Sequence, residues 1–105
     1  MADDASVKPV GRNDSKGQFE METPDGTAYL RFEIAGKSIY LIHTEVPVEL
    51  EGRGLGGRLV RSALDDARQR GLTVIPSCPF VQTYLKRHPE DLDIVHPSYR
   101  KRLEQ

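Results

Sequence analysis

The apolar positions of the chain repeat every second residue in its first half and every three to four residues in its second. Gln18 to Glu22 alternates, with Phe19 and Met21 on one face. Thr27 to Ile34 is a β-rich run carrying Tyr29, Leu30 and Phe32, and Ser38 to Val46 is a second, reading SIYLIHTEV. Pro24-Asp25-Gly26 and Ala35-Gly36-Lys37 are short reversals between these runs. Together they predict an antiparallel meander. Val7 to Val10, interrupted by Pro9, is a further short strand candidate ahead of the Asn13 to Gly17 turn cluster. From Leu55 the period changes. Leu55, Leu59, Val60, Ala63, Leu64 and Ala67 fall on one face of a helix, with Gly71 as its C-terminal cap. Leu72 to Ile75 reads as a short buried strand. Pro79 to Arg87 reads as a second helix with Phe80, Val81, Tyr84 and Leu85 inward, ended by His88-Pro89. Asp93 to Val95 is a last strand candidate. This order predicts an α+β fold, a mostly antiparallel sheet flanked by two main helices. The step from the 38–46 strand through the long helix to the 72–75 strand is expected to be a right-handed, parallel β-α-β crossover.

Composition narrows the function without identifying it. A chain of 105 residues makes one domain, expected over residues 7–95, with a disordered start over 1–6. The polar, basic tail over 96–105, HPSYRKRLEQ, is expected either to dangle or to dock as a short helix, with partial disorder the favoured reading. So small a domain has little room for a deep cavity, which points to a surface cleft. A net charge of −1 from mixed charges gives no nucleic-acid footprint. The lone cysteine, Cys78, makes no intramolecular disulfide and no multi-cysteine zinc site, and the scattered His43, His88 and His96 do not read as a metal site. MADDAS is not a signal peptide, and no apolar run approaches the ~20 residues of a membrane span. A cytoplasmic protein without membrane contact, a monomer or weak homodimer, is expected.

The chemistry concentrates where the period changes. Glu51-Gly52-Arg53-Gly54-Leu55-Gly56-Gly57 places four glycines within six positions, running straight into the long helix. Glycine is costly inside helices and strands, but it serves a backbone that turns sharply or is approached closely. The first N–H groups of the helix lack intrahelical partners, and they share the positive end of the helix dipole. The junction therefore reads as an anion site. Gly52 to Gly57 literally satisfies G-x-G-x-x-G, but the acidic residue that a dinucleotide site needs is missing after the next strand, which ends Ile75-Pro76-Ser77-Cys78. A P-loop is excluded, because no Gly-Lys-Ser/Thr follows.

The same residues resemble the pyrophosphate loop of the GNAT superfamily of N-acetyltransferases, Q/R-x-x-G-x-G/A, with Gly54 and Gly56 matching its last two positions and Glu51 departing from the first. HTEVPVELEGRGLGGRLVRSALDDARQRGL followed by VIPSCPFVQTYLKRHPE resembles a small, minimal GNAT branch over about residues 17–95. The resemblance implies a twisted GNAT-like sheet in which two neighbouring strands, Ser38–Val46 and Leu72–Ser77, splay apart to admit the pantetheine arm of acetyl-coenzyme A. Pro47 suits a strand leaving its neighbour. Val46 would line the arm. The backbone amides of Arg53, Gly54, Leu55, Gly56 and Gly57 would hold the pyrophosphate, with Arg53, Arg58 and Arg61 as side-chain partners for the remaining charge.

Cys78 precedes Pro79, which suits a first helical position and makes Cys78 the N-cap. A thiol there is placed to act as nucleophile or as proton donor to a leaving coenzyme A thiolate, or else to serve as a small buried residue. GNAT members commonly use a tyrosine on the following helix as proton donor. Leu85 falls nearest to that position, and Tyr84 is one residue off, about 100° around the helix. His43 and Glu45 share one face of their strand, with Thr44 on the other, and are candidate bases for deprotonating an amine acceptor. Two functions follow from the resemblance. One is an acetyl-coenzyme A-dependent N-acetyltransferase acting on an unidentified small-molecule or protein amine; the other is a coenzyme A or acyl-coenzyme A binding module with little catalysis.

Overall fold

The computed structural model describes residues 9–104. The expected disordered start over 1–6, and Val7 and Lys8 of the first strand candidate, lie outside them. Five strands form one sheet in the order β1-β2-β3-β4-β5: β1 (Gly11–Asn13), β2 (Gln18–Thr23), β3 (Gly26–Ala35), β4 (Ser38–Glu45) and β5 (Thr73–Pro76). β1 lies beyond the expected 7–10 run and starts after Pro9, which has no N–H to give a ladder. The first four strands pair antiparallel, and β5 joins β4 in parallel through helix α1 (Leu55–Arg70). The predicted α+β architecture is thus present.

Each helix forms for a local reason. The apolar stripe of α1, from Leu59 to Ala67, is buried, while Arg58, Asp65 and Arg68 remain exposed. At its end Gly71 adopts the left-handed conformation at φ 69°, and Leu72 N–H reaches back to the Ala67 carbonyl at 2.9 Å. Helix α2 (Pro79–Arg87) starts on Pro79 and buries Val81 and Leu85. Both helices share one core with the alternate strand residues Phe19, Met21, Leu30, Phe32, Ile39 and Leu41. The opposite strand positions, among them Glu22, Arg31, Glu33, Tyr40, His43 and Glu45, are exposed. Among the described residues, one face of the sheet is therefore covered by helices and the other is bare.

The C-terminal fifth departs from expectation. The Asp93–Val95 segment is not a strand. Pro89–Ile94 forms a 3-10 helix, and only Val95 bridges to Val74. The buried Asp91 organises this turn. It receives a forked pair of hydrogen bonds from Arg61 at 2.7 and 2.9 Å and a third from Arg68 at 3.3 Å. Within the tail the docked-helix alternative is the one observed. Pro97–Leu103 forms helix α3, capped by His96, whose Nδ1 accepts from Ser98 N–H at 3.1 Å, and Leu103 is buried. The basic residues mark only the wet side of α3, while Leu103 and the partly buried Tyr99 pack on the core. Among the described residues no helix is long and apolar enough to cross a membrane.

Two irregularities in β4 shape the site. Arg31 pairs with His43 but Phe32 pairs with Leu41, so Ile42 is an extra, unpartnered residue. The bulge reverses the alternation. Before it, Ile39 and Leu41 face the helices; after it, Thr44 takes that side opposite buried Leu30, and His43 and Glu45 turn to the bare face. The second irregularity is the end of the β4–β5 ladder at Leu41–Pro76, closed by a bond from Cys78 N–H to the Leu41 carbonyl at 2.9 Å. Beyond that point β4 continues without β5. This is the expected splay.

Candidate active site at the strand gap

Between β4 and α1 the chain makes one 3-10 turn, Val48–Leu50, and then the glycine loop. Gly54 stands immediately before the helix at φ 81°, a left-handed conformation that disfavours any side chain. The first intrahelical bond runs from Arg58 N–H to the Gly54 carbonyl at 3.1 Å. No side chain caps the helix and no acidic residue stands in its first turn, so both usual ways of satisfying a helix start are missing. Among the described residues, the amides of Gly54, Leu55, Gly56 and Gly57 find no acceptor. The Arg53 amide instead donates to the Leu50 carbonyl at 3.4 Å, so the amide cradle begins one residue later than expected.

Gly56 and Gly57 are not required by backbone conformation, since neither has a positive φ. A Cβ on Gly57 would make only ordinary contact with Tyr84, at 3.7 Å. Two glycines in a helix start cost about 1 kcal/mol each relative to alanine. That cost has a counterpart if something must approach the backbone closely. The cleft beside them, about 410 Å³, is lined by Thr44, Val46, Leu50, Glu51, Gly52, Gly54 to Gly57 and Phe80. It supplies both the approach and an apolar continuation toward the splay. Glu51, the residue that departs from the loop pattern, places an exposed carboxylate on this rim.

Phe80, expected inward, is instead 45% exposed, and its ring lies across Gly56, where a Cβ would sit 2.6 Å from it. At the inner end of the cleft, Thr44 Oγ1 lies 3.5 Å from Cys78 Sγ. Cys78 is the N-cap of α2, as expected, and is 3% exposed. The contact spans the gap between the parted strands. Thr44 is the site residue that reasoning from sequence passed over, and its signal lay in a bulge that the residue pattern does not announce.

The structure does not bring all the candidates together. His43 and Glu45 bond each other at 2.7 Å, and the edge of Tyr29 meets the His43 ring at 6.3 Å, but this group lies on the bare face, across the strand from Thr44. Tyr84 is outside the cleft. Its ring packs beside Gly57 and stacks on His88 at 4.0 Å. Tyr84→Phe is therefore expected to leave any acyl transfer within about twofold of wild type in a thiol-release assay, far below the 10²–10⁴ of a lost general acid. Arg61 is withdrawn from the phosphate role, because Asp91 and Asp65 hold its guanidinium. These bonds raise the Arg61 pKa and hold the Asp91 carboxyl below the ordinary carboxylate range.

Comparison with known proteins agrees with this geometry. Residues 18–94 match the family model described as GCN5-related N-acetyl-transferase. Protein NATD1 of Mus musculus is 37% identical over 78 residues, covering 73% of this chain and 66% of the relative. Protein NATD1 of Homo sapiens is also 37% identical over 78 residues, with 73% and 64% covered. The chain thus spans slightly less than two thirds of the length of these curated relatives. The solution structure of a GCN5-like protein from Staphylococcus aureus superposes with a TM-score of 0.67 at 23% identity, covering 83% of this chain and 86% of that one, a likeness of fold. The loop, the parted strands and the family match lead to one assignment: this chain belongs to the GCN5-related N-acetyltransferase family.

Proposed function

We propose that this domain is an acetyl-coenzyme A-dependent N-acetyltransferase, its transfer step assisted by Cys78. The observation that carries the reading is the row of unbonded amides from Gly54 to Gly57, bordering a cleft that runs to Thr44 beside Cys78. Amides at a helix start favour a diphosphate. The neutral walls at Val46, Leu50 and Leu55 suit a pantetheine arm, and the parted strands leave room for its thioester end.

Two routes share this placement. In the first, a neutral amine attacks the thioester carbonyl carbon, the C–S bond breaks, and the coenzyme A sulfur takes a proton from the Cys78 thiol. The proton lost by the amine then restores that thiol. In the second, the Cys78 sulfur attacks the thioester carbonyl as its thiol gives up a proton, the C–S bond to coenzyme A breaks, and the departing coenzyme A sulfur takes that proton. The amine then displaces acetyl from Cys78 and regenerates the thiol. His43, bonded to Glu45 and exposed on the bare face, is the candidate base for an acceptor arriving from that side. Thr44 bonds the sulfur and orients it in either route.

Calorimetry with coenzyme A tests the reading, and no binding at millimolar ligand overturns it. Thiol release with a panel of amines then measures transfer. Cys78→Ser is expected to bind coenzyme A as wild type does and to slow transfer at least about tenfold. Intact mass separates the routes, because only the second adds an acetyl group to wild type. Full turnover by Cys78→Ser removes the thiol from the chemistry. One observation favours a second reading, a coenzyme A-binding module with little catalysis: Tyr84 lies outside the cleft, so Cys78 is left as the sole candidate donor among the residues considered. Tight binding with no thiol release from any amine selects that reading.

A further inference from the structure

A second cleft, about 480 Å³, lies on the other side of the glycine loop. Gly54 and Gly57 border both clefts, and Arg58, Arg61, Ser62 and Tyr84 are among the residues lining the second. An anion seated on the first-turn amides therefore has two exits, and their chemistry differs. The exit toward Thr44 is walled by Val46, Leu50 and Leu55. The other presents two guanidinium groups. Arg61 is already compensated by Asp91 and Asp65. Arg58 is exposed and, among the described residues, has no carboxylate partner. Among the described residues lining this cleft, the uncompensated charge is that of Arg58.

Coenzyme A is asymmetric in the same sense. From its diphosphate a neutral pantetheine arm leads one way, and a nucleotide bearing a ribose 3′-phosphate leads the other. We infer that Arg58 reads this 3′-phosphate in the second cleft, so that the protein discriminates coenzyme A from dephospho-coenzyme A. The inference rests on the coenzyme A reading above and adds a direction to it. With the arm toward Thr44, the thioester comes to Cys78 and the phosphate comes to Arg58. The reverse placement would bury a phosphate against Val46, Leu50 and Leu55 at a high desolvation cost. Arg58 also stands one helical turn after Gly54, so its stem starts beside the cradle. A guanidinium can meet a phosphate with two parallel N–H donors.

The test is calorimetric titration of the full chain with coenzyme A and with dephospho-coenzyme A at one ionic strength. Wild type is expected to prefer coenzyme A about tenfold, as fits one charge-assisted contact at an exposed site. Arg58→Gln is expected to lower coenzyme A affinity to that of dephospho-coenzyme A, whose own affinity is unchanged. Lys37→Gln, in the β3–β4 turn, is expected to keep the wild-type preference. Equal binding of the two ligands by wild type overturns the inference and leaves the coenzyme A reading standing. A preference that survives in Arg58→Gln overturns the role of Arg58. Failure of both ligands to bind at millimolar concentration overturns the coenzyme A reading itself, and this inference with it.

Discussion

Gly56→Leu is expected to lower coenzyme A affinity by at least about 100-fold while the domain stays folded. The two effects separate because Gly56 has an ordinary helical conformation that leucine adopts freely. Leucine at this helix position gains about 0.8–1 kcal/mol of propensity over glycine. The clash its Cβ makes, 2.6 Å from the Phe80 ring, is with the far end of a side chain that is 45% exposed and free to swing outward. The added branch then stands where the cofactor diphosphate would meet the first-turn amides. Thermal unfolding checks the fold, and calorimetry checks the ligand. A variant that binds coenzyme A as tightly as wild type would show that nothing needs to approach this backbone closely.

The largest stability effect is expected at Asp91, where replacement by alanine removes the acceptor shared by Arg61 and Arg68. Breaking a buried ion pair costs about 3–5 kcal/mol. Here both arginines keep partial contact with water, which reduces the loss to about 2–3 kcal/mol. For a domain of this size that lowers Tm by roughly 10–20 °C. Asp65→Ala removes only an exposed i,i+4 partner of Arg61 and is expected to move Tm by less than about 3 °C. The pH dependence follows in direction. Hydrogen bonds from Arg61 depress the folded-state pKa of Asp91, and those from Arg68 depress that of Asp93. Their stabilisation is fully present above the unfolded carboxylate pKa, about 3.9. It declines as pH falls below that value and is gone once pH passes below the folded pKa. Acid unfolding of wild type is therefore expected to start near pH 4, and Asp91→Ala is expected to lose part of that acid sensitivity. Equal Tm values for Asp91→Ala and wild type at pH 7 would show that the 3-10 turn does not depend on this anchor.

Most of the fold can be read from periodicity, because α1 and the β2–β4 meander carry apolar residues at their own repeats between clear turn residues. The glycine loop is legible for a different reason: its composition makes sense in few other places. What the residue pattern hides is a change of face within one strand. Simple alternation through Ile39 and Leu41 carries His43 and Glu45 to the covered side with them; the extra residue Ile42 sends both to the bare side and delivers Thr44 to the cleft. A bulge has no fixed residue signature, so the pattern alone does not show that Thr44, rather than His43 or Glu45, comes beside Cys78. Arg61 shows the same limit in electrostatic form. Its helix position suggests a free cation, and only the later fold of Pro89–Ile94 brings Asp91 against it. The docking of the tail is hard to read from the residue pattern because only the buried Leu103 and the partly buried Tyr99 seat an otherwise polar and basic helix.

The parting of β4 from β5 also lies in a thin slab. The molecule measures 39 × 31 × 20 Å, and helices screen only one side of the sheet. On the function proposed above, a donor lying on the screened side would be met by an acceptor from the unscreened one, and the two would not share an entrance. In such an arrangement neither has to depart before the other can dock.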